Sequence, residues 1–327
     1  MRQVMYRDAI CEALDEEMAR DDSIFIIGED VGLIGGNFKT TVGLMEKYGD
    51  LRCKDSPISE AGIVGMGVGA ALVGLRPVVE LMFCDFLMMA MDQICNQAAK
   101  ITYMSGGQAR VPMVVRTPLG GGRSSAAQHS QSFHAWVAHC PGLKVVVPST
   151  AREAKGLLKT AIRDNNPVIF FEHKMLYTVK FDDVASAEED LCIPFGEARI
   201  VNEGDDITVV ATSIMTIKAE KAINELKGKG ISAELIDLRT IVPLDTDTII
   251  KSVKKTGKLL IVDEGHISFG ISGEIIARIM PEVFYDLEAP IERLGTSDVP
   301  LPFSPALEFP LIPGEKEIAA KIKEMVI

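Results

Sequence analysis

The sequence predicts an α/β protein with two open, mostly parallel-sheet domains, and three observations support this fold class. Short β-branched runs such as IFIIG at 24–28 and PVIFFE at 167–172 have the pattern of buried strands. Helical patterns such as 150–164 lie between these runs, which is typical of parallel strands with helices on both faces of the sheet. The same alternation restarts after an acidic, irregular stretch, so we expect a second domain of similar architecture.

The first domain, residues 1–190, is predicted from five apolar runs separated by helical patterns. The runs are IFIIG at 24–28, PVVEL at 77–81, VPMVVR at 111–116, LKVVVP at 143–148 and PVIFFE at 167–172. Crossover helices are expected over 89–104 and 150–164. From Thr178 to Asp206 the chain is acidic and irregular, as in a linker or an edge excursion, which predicts the domain boundary near residue 190.

The second domain, residues 191–327, is predicted as a smaller βαβαβ unit. Its strands are expected at ITVVA (207–211), AELIDL (233–238) and KLLIVDE (258–264). One helix should end near Lys229, before Gly230, and another should begin at Asp245 after a proline.

Composition limits the classes of function. The chain of 327 residues is 47% hydrophobic, which is enough for two globular domains. A net charge of −12 argues against nucleic acid or an anionic membrane as a partner. The most apolar window, 75–91, contains three charged residues and is too polar for a membrane helix, and we expect no export signal. Six cysteines without a CxxC pair argue against a zinc ribbon or a disulfide framework and fit a reducing cytoplasm.

The most unusual segment is DSPISEAGIVGMGVGAALVG at 55–74, in which Glu60 precedes a glycine-rich helical stretch. Each glycine costs a helix about 1 kcal/mol relative to alanine, so the glycines should serve close packing against another backbone or a ligand. Gly65, Gly67 and Ala70 satisfy a dinucleotide fingerprint, but CKDSPISEA does not read as a strand and no acidic residue is well placed afterwards. Nicotinamide binding is therefore the weaker hypothesis. Glu60 alone would more often be a helix-dipole partner than a catalyst.

Several blocks resemble a known family. They are PISEAGIVGMGVGAALVGLRPVVELMFCDF, MDQICNQAAKITYMSGG, AAQHSQSFHAWVAHCPGLKVVVPS, AKGLLKTAIRDNNPVIFFEHKMLY, LIDLRTIVPLD and PFSPALE. Together they are similar to the beta chains of pyruvate, branched-chain 2-oxo acid and acetoin dehydrogenases, which use thiamine diphosphate and are related to transketolases. The resemblance covers nearly the whole chain. It implies a pyrimidine-binding transketolase-like domain followed by a transketolase C-terminal-like domain.

The resemblance also implies the site. Glu60 would hydrogen-bond a ring nitrogen of the cofactor's aminopyrimidine, and Phe86 would stack on the pyrimidine face. Ile58 and Met82 match positions in the pocket wall, although simple packing is an equal alternative. His129 would handle protons on the substrate oxygen or during acyl transfer to lipoamide.

The neighbouring histidines suggest other chemistries, which the spacing disfavours. His129, His134 and His139 are five residues apart, so on a helix they would not converge on a metal. Neither Ser130 nor Ser132 lies in a G-x-S-x-G elbow, so a serine hydrolase is not supported. His134 and His139 receive no role from the family and are predicted to be structural.

Partners are implied by what the sequence lacks. It contains no GDG motif, so the resemblance implies that a separate alpha chain holds magnesium and the diphosphate, in an α₂β₂ heterotetramer. The second domain would dock the lipoyl-bearing acyltransferase core, and the acidic balance suits a basic docking segment. In some relatives potassium binds near the residues matching Ala161, Asp164 and Asn166, although an ordinary turn is the other interpretation.

The predicted function is cleavage of pyruvate or acetoin with transfer of the two-carbon unit to lipoamide. ELMFCDF and FEHKMLY resemble acetoin dehydrogenases, whereas other blocks fit pyruvate dehydrogenases equally well. A branched-chain 2-oxo acid dehydrogenase subunit, a nicotinamide-binding oxidoreductase and a noncatalytic scaffold subunit stay open as alternatives. Arg123 and His266 depart from common relatives, and the sequence assigns them no role.

Overall fold

The chain divides into two compact units in a computed structural model that describes residues 2–184 and 190–327. The first unit consists of Met1–Leu119 and Trp136–Phe195, and the second of Gly120–Ala135 and Gly196–Ile327. The sixteen-residue segment 120–135 thus belongs to the second unit, although the first unit surrounds it in sequence.

The first unit is built on a parallel sheet. Its elements are β1 (Arg2–Met5), α1 (Tyr6–Arg20), β2 (Ile24–Gly28), α2 (Leu44–Tyr48), β3 (Cys53–Asp55), α3 (Glu60–Leu72), β4 (Arg76–Glu80), α4 (Ala99–Met104), β5 (Val114–Leu119), α5 (His134–Ala138, which continues across the division between units), β6 (Lys144–Val146), α6 (Ala151–Arg163), β7 (Val168–His173) and β8 (Lys180–Val184). Within this unit the strand order is β6-β7-β5-β4-β2-β3, and every neighbouring pair is parallel. Strands β1 and β8 form a separate antiparallel ribbon.

Helices α1 and α6 pack against each other and are joined by ion pairs. Helix α6 begins with a capping contact, in which the hydroxyl of Thr150 accepts a hydrogen bond from the amide of Glu153 at 3.3 Å. The buried ammonium of Lys155 lies 2.7 Å from Glu16 on α1. The guanidinium of Arg163 lies 2.6 Å from Glu17. The crossover helix predicted over 150–164 is therefore confirmed to within a residue at each end.

The helix predicted over 89–104 is wrong in detail. Residues Cys84–Ala90 form a 3₁₀ helix, Asp92–Ala98 form a π-helix, and only Ala99–Met104 are α-helical. Such π-turns are rare and are frequently found at functional sites. The irregular part directly follows β4 and contains Phe86.

The second unit contains a smaller mixed sheet. Its elements are β9 (Arg199–Asn202), β10 (Ile207–Ala211), α7 (Ser213–Lys227), β11 (Ala233–Asp237), β12 (Thr240–Val242), α8 (Thr246–Thr256), β13 (Leu259–His266), α9 (Ile271–Val283), β14 (Glu292–Thr296), α10 (Pro305–Glu308) and α11 (Glu315–Val326). The strand order is β14-β13-β10-β11-β9, with only β9 antiparallel to its neighbour. The βαβαβ prediction is confirmed by β10, α7, β11, α8 and β13.

Six short strands were not predicted, namely β1, β3, β8, β9, β12 and β14. CKD forms β3, and the stretch predicted to be irregular from Thr178 to Asp206 contains β8 and β9. β3 and β9 lie at sheet edges and β8 in a two-stranded ribbon, where charged residues are tolerated and the apolar signature of a buried strand is absent. The part of that acidic stretch at 185–189 lies outside the described residues.

A buried cluster of charges lies on three neighbouring strands of the first unit. Arg116 on β5 is 1% exposed and donates to both carboxylate oxygens of Glu172 on β7, at 2.7 and 2.9 Å. It also donates to Glu80 on β4 at 2.8 Å. Tyr177 donates to Glu172 at 2.7 Å, and Thr40 donates to Glu80 at 3.2 Å. Burial raises the pKa of Glu80, and the Arg116 charge opposes that shift.

We expect Arg116→Met to lower the free energy of unfolding by about 3 kcal/mol or more, because two buried carboxylates would lose their cation. The measurement is urea unfolding followed by circular dichroism. Lys229→Met is the control, since Lys229 forms an exposed ion pair with Glu225 and its loss should change stability by less than about 0.5 kcal/mol. Equal stability of the two variants would contradict a structural role for the cluster.

Candidate active site

Glu60 is the first residue of α3, at the carboxyl edge of the parallel sheet in the first unit. The turn 56–59 connects it to the end of β3. Its side chain is 9% exposed, yet among the described residues it forms no hydrogen bond or ion pair. Ligands of open α/β sheets bind at this edge, so a buried carboxylate without a protein partner is available to a ligand there.

Glu29 is a site residue that the sequence prediction missed. It directly follows β2, the neighbour of β3 in the sheet, and it is also 9% exposed. Burial, followed by the nearby Glu60 charge, raises the pKa of the Glu29 carboxyl. The position of an acid immediately after the buried strand IFIIG could have identified it. Two carboxylates therefore share this edge, and Glu29 retains its proton to a higher pH than an exposed glutamate.

The residues predicted to contact a pyrimidine ring lie in the connections that follow β3 and β4. These two strands flank β2 in the sheet. Phe86 is half-buried in the 3₁₀ helix Cys84–Ala90, and its ring meets Phe83 edge to face at 6.0 Å. Met82 is half-buried in the connection after β4, and Ile58 is 78% exposed in the turn before α3. An exposed isoleucine is not held by packing within the chain. Ile58, Glu60, Met82 and Phe86 thus lie on one edge of the first unit.

His129 belongs to the second unit, where it ends the short 3₁₀ turn Ala127–His129. Its side chain is half-buried, and its backbone amide donates to the carbonyl of Ala126 at 3.2 Å. His139 is exposed at the end of α5. His266 lies at the end of β13, and its Nδ1 atom is 2.8 Å from the carbonyl oxygen of Ser297.

His134 forms a buried ion pair in the second unit. Its Nε2 lies 2.8 Å from a carboxylate oxygen of Asp263, and Thr212 donates to the other oxygen at 2.6 Å. Burial acts to lower the pKa of His134, but Asp263, with a smaller contribution from Glu264, raises it above the ordinary value. The pKa of Asp263 is correspondingly low, since His134 and its other donors outweigh burial.

The turn predicted to bind potassium already contacts two cationic side chains. Arg76 donates to the carbonyl of Ile162 at 2.8 Å and to the carbonyl of Asp164. The Asp164 carboxylate is paired with Lys144 and accepts from the amide of Asn166 at 2.8 Å. Oxygen atoms of this turn thus already accept from cationic side chains, which leaves them less suited to bind a metal cation. Potassium at Ala161, Asp164 and Asn166 stays a prediction. Across residues 2–184 and 190–327, no three His, Cys, Asp or Glu side chains are arranged to hold a metal, and no helix is long and apolar enough to span a membrane.

The ion pair gives a pH-dependent prediction. Because the pKa of His134 is raised on folding, its contribution to stability is complete below the unfolded pKa of about 6.5 and is lost as pH rises through the folded pKa. We expect His134→Asn to cost about 3 kcal/mol near pH 6 and less at pH 9. Urea unfolding at both pH values measures this, with the exposed His139→Asn as control. A cost that does not change with pH would contradict the ion pair.

Comparisons with known proteins match a family to each of two regions of the chain. Residues 2–180 match the family "Transketolase, pyrimidine binding domain", and residues 196–318 match "Transketolase, C-terminal domain". The pyruvate dehydrogenase E1 component subunit beta of Rickettsia felis is 49% identical, over 99% of this chain and 98% of its own length. The mitochondrial pyruvate dehydrogenase E1 component subunit beta-1 of Arabidopsis thaliana is 47% identical, over 98% of this chain and 89% of its own.

A solved structure entitled "Split gene transketolase, inactive beta4 tetramer" covers 99% of this chain and 98% of its own, with a TM-score of 0.79. At 24% identity it supports the fold alone. The predicted fold class and family resemblance are confirmed. The chain belongs to the family of beta subunits of thiamine diphosphate-dependent 2-oxo acid dehydrogenases.

Proposed function

We propose that this chain supplies the pyrimidine half of a thiamine diphosphate site in a pyruvate dehydrogenase, and that a separate alpha chain completes the site. The observation that supports this most directly is the Glu60 carboxylate, which is buried at the sheet edge and has no partner among residues 2–184 and 190–327. An aminopyrimidine offers the ring nitrogen that such a carboxyl group can bind. The half-buried Phe86 and Met82 add apolar surface on the same edge.

Each residue at this edge has a proposed task. Glu60 shares a proton with the pyrimidine ring nitrogen, and its burial strengthens that hydrogen bond. Phe86 stacks on the ring face, while Ile58 and Met82 form the pocket wall. Burial and the charge of Glu60 raise the pKa of the Glu29 carboxyl, so Glu29 keeps its proton to a higher pH than an exposed glutamate does. When bound, thiamine diphosphate supplies the electron sink for cleavage beside a carbonyl group.

His129 is proposed to manage protons on the substrate oxygen or during transfer of the acyl group to lipoamide. An imidazole titrates near neutrality and can act as acid or base. The half-buried position of His129 leaves it accessible from solvent.

Pyruvate is the favoured substrate, because the relatives at 47–49% identity are named pyruvate dehydrogenase. Acetoin is the second candidate, because the segments ELMFCDF and FEHKMLY resemble acetoin dehydrogenases. The nicotinamide hypothesis loses support from the position of the glycines. Gly65 and Gly67 lie inside α3, whereas the dinucleotide fingerprint needs its glycines in the turn between strand and helix.

The outward face of α3 supports assembly with other chains. Gly69 has no atom of the described residues within 4 Å of an added Cβ, and Met66 is half exposed beside it. Gly67, in contrast, packs inward, since a Cβ there would lie 2.7 Å from Val79. Open glycines beside apolar side chains allow another backbone to approach closely.

We place this face in an α₂β₂ heterotetramer whose alpha chain holds magnesium and the diphosphate, as the absence of a GDG motif here implies. The acidic chain would dock a basic segment of the lipoyl-bearing acyltransferase core. The six free cysteines fit the reducing cytoplasm.

We expect Glu60→Gln to lower turnover of pyruvate at least about 100-fold, because an amide cannot share the proton. The complex would be captured from native lysate through a tag on this chain and assayed by cofactor-dependent reduction of an artificial electron acceptor, with pyruvate, acetoin and branched-chain 2-oxo acids compared. Glu46→Gln, an exposed carboxylate on α2, is the matched control. Full activity of Glu60→Gln would reject the proposed site.

We expect Gly69→Leu to reduce capture of the alpha chain or to break the tetramer into smaller species, since added side-chain volume blocks close approach. Size-exclusion chromatography of the captured complex measures this. Gly273→Leu, which fills an equally open glycine position on α9, is the control. A tetramer that survives Gly69→Leu unchanged would place the interface elsewhere.

A further inference from the structure

Two carboxylates of the second unit bind the backbone of the glycine-rich segment that precedes His129. The amide of Gly121 donates to Glu264 at 2.6 Å. The amide of Gly122 donates to one oxygen of Glu308 at 2.8 Å, and the amide of Ser124 donates to the other at 2.8 Å. The hydroxyl of Ser124 adds a bond of 3.0 Å to that second oxygen.

Glu308 is the more extensive of these two anchors. It ends α10, it is 0% exposed, and it accepts three hydrogen bonds from the segment through both oxygens. Hydrogen bonds to an ionised acceptor are shorter and stronger than those between neutral groups. In addition, a Cβ at Gly121 would lie 2.6 Å from Cδ1 of Ile312 and 2.8 Å from Cδ1 of Leu301, so this backbone packs closely against side chains near Glu308.

The bound conformation is strained. Ser124 and Ala126 have φ values of 54° and 63°, in a region that residues with a Cβ rarely adopt. Such strain persists only where the surrounding contacts impose it, and the bonds of Glu308 to Ser124 are contacts of this kind. Ala126 immediately precedes the 3₁₀ turn Ala127–His129. The direction in which the chain enters that turn is therefore set by the segment that Glu308 holds.

Arg123 lies between the two residues whose amides Glu308 accepts, and its side chain is exposed. The backbone is therefore fixed on both sides of Arg123. The anchored segment thus carries one polar side chain, Arg123, and leads directly to a second, His129.

We propose that Glu308 is a positioning residue that acts through the backbone of 122–126 to orient His129 and Arg123. This proposal rests on the proposed function, in which His129 manages protons on the substrate. Glu308 takes no part in the chemistry itself. Its removal should release the strained segment while leaving the pyrimidine edge of the first unit unchanged.

The test uses Glu308→Gln in the tagged heterotetramer, because glutamine keeps the shape but presents an NH₂ group to one of the backbone donors. Hydrogen exchange followed by mass spectrometry reports on the amides of 120–129 without reference to activity. We expect exchange in this peptide to accelerate about tenfold, as the loss of hydrogen bonds to a charged acceptor implies. We expect kcat to fall about tenfold or more, with the pH dependence of kcat altered and the affinity for thiamine diphosphate unchanged.

Ser124→Ala supplies a graded variant, because it removes only the hydroxyl bond and should accelerate exchange less than Glu308→Gln does. Glu324→Gln, an exposed carboxylate on α11, is the control and should match the parent in every measurement. Unchanged exchange in Glu308→Gln would overturn the proposal, as would faster exchange with normal kcat. A parallel loss of kcat, cofactor affinity and melting temperature would also overturn it, by indicating a general role in folding. Failure of the proposed function would appear separately, as a parent complex whose activity does not depend on Glu60.

Discussion

The buried guanidinium of Arg116 is the contact on which the carboxyl edge of the first unit's sheet depends. It joins β4, β5 and β7 through Glu80 and Glu172, and these carboxylates in turn accept from Thr40 and Tyr177. The segment with Met82 and Phe86 leaves the sheet directly after Glu80. An uncompensated charge at this depth is costly, so the ion cluster fixes where that segment starts as well as how the strands end.

Both units use carboxylates to fix irregular backbone. In the first unit the carboxylate of Asp55 accepts from the amide of Gly32 at 2.6 Å, in the loop after β2. In the second unit Glu264 and Glu308 do the same for the segment 121–124. An anionic acceptor satisfies several backbone amides at once, which lets a loop be ordered without joining a helix or a sheet. The excess of acidic residues therefore has structural uses in addition to any role in docking partners.

The sequence predicted correctly the elements whose hydrophobic pattern is strong and local. The buried strands at 24–28 and 207–211 have the predicted bounds, because continuous β-branched runs in a parallel sheet have few alternatives. The edge strands β3, β8 and β9 were missed, since half-exposed strands carry charges that also mark loops. The conversion of 89–104 into 3₁₀, π and α segments depends on tertiary packing, which periodicity does not encode. In the proposed site, Glu60 and Phe86 were predicted only through family resemblance, and Glu29 was missed although it directly follows the buried strand at 24–28.

Helix α3 carries both the proposed catalytic carboxylate and the proposed contact surface for another chain. It begins with the buried Glu60, and its outward face carries Gly69 and Met66. In the proposed tetramer the lifetime of the catalytic site would then equal the lifetime of the quaternary contact, and dilution would inactivate the enzyme by mass action without unfolding any chain. Substitutions on this face could be accepted during evolution only together with changes in the facing chain. The sequence of α3 would therefore coevolve with that of the facing chain.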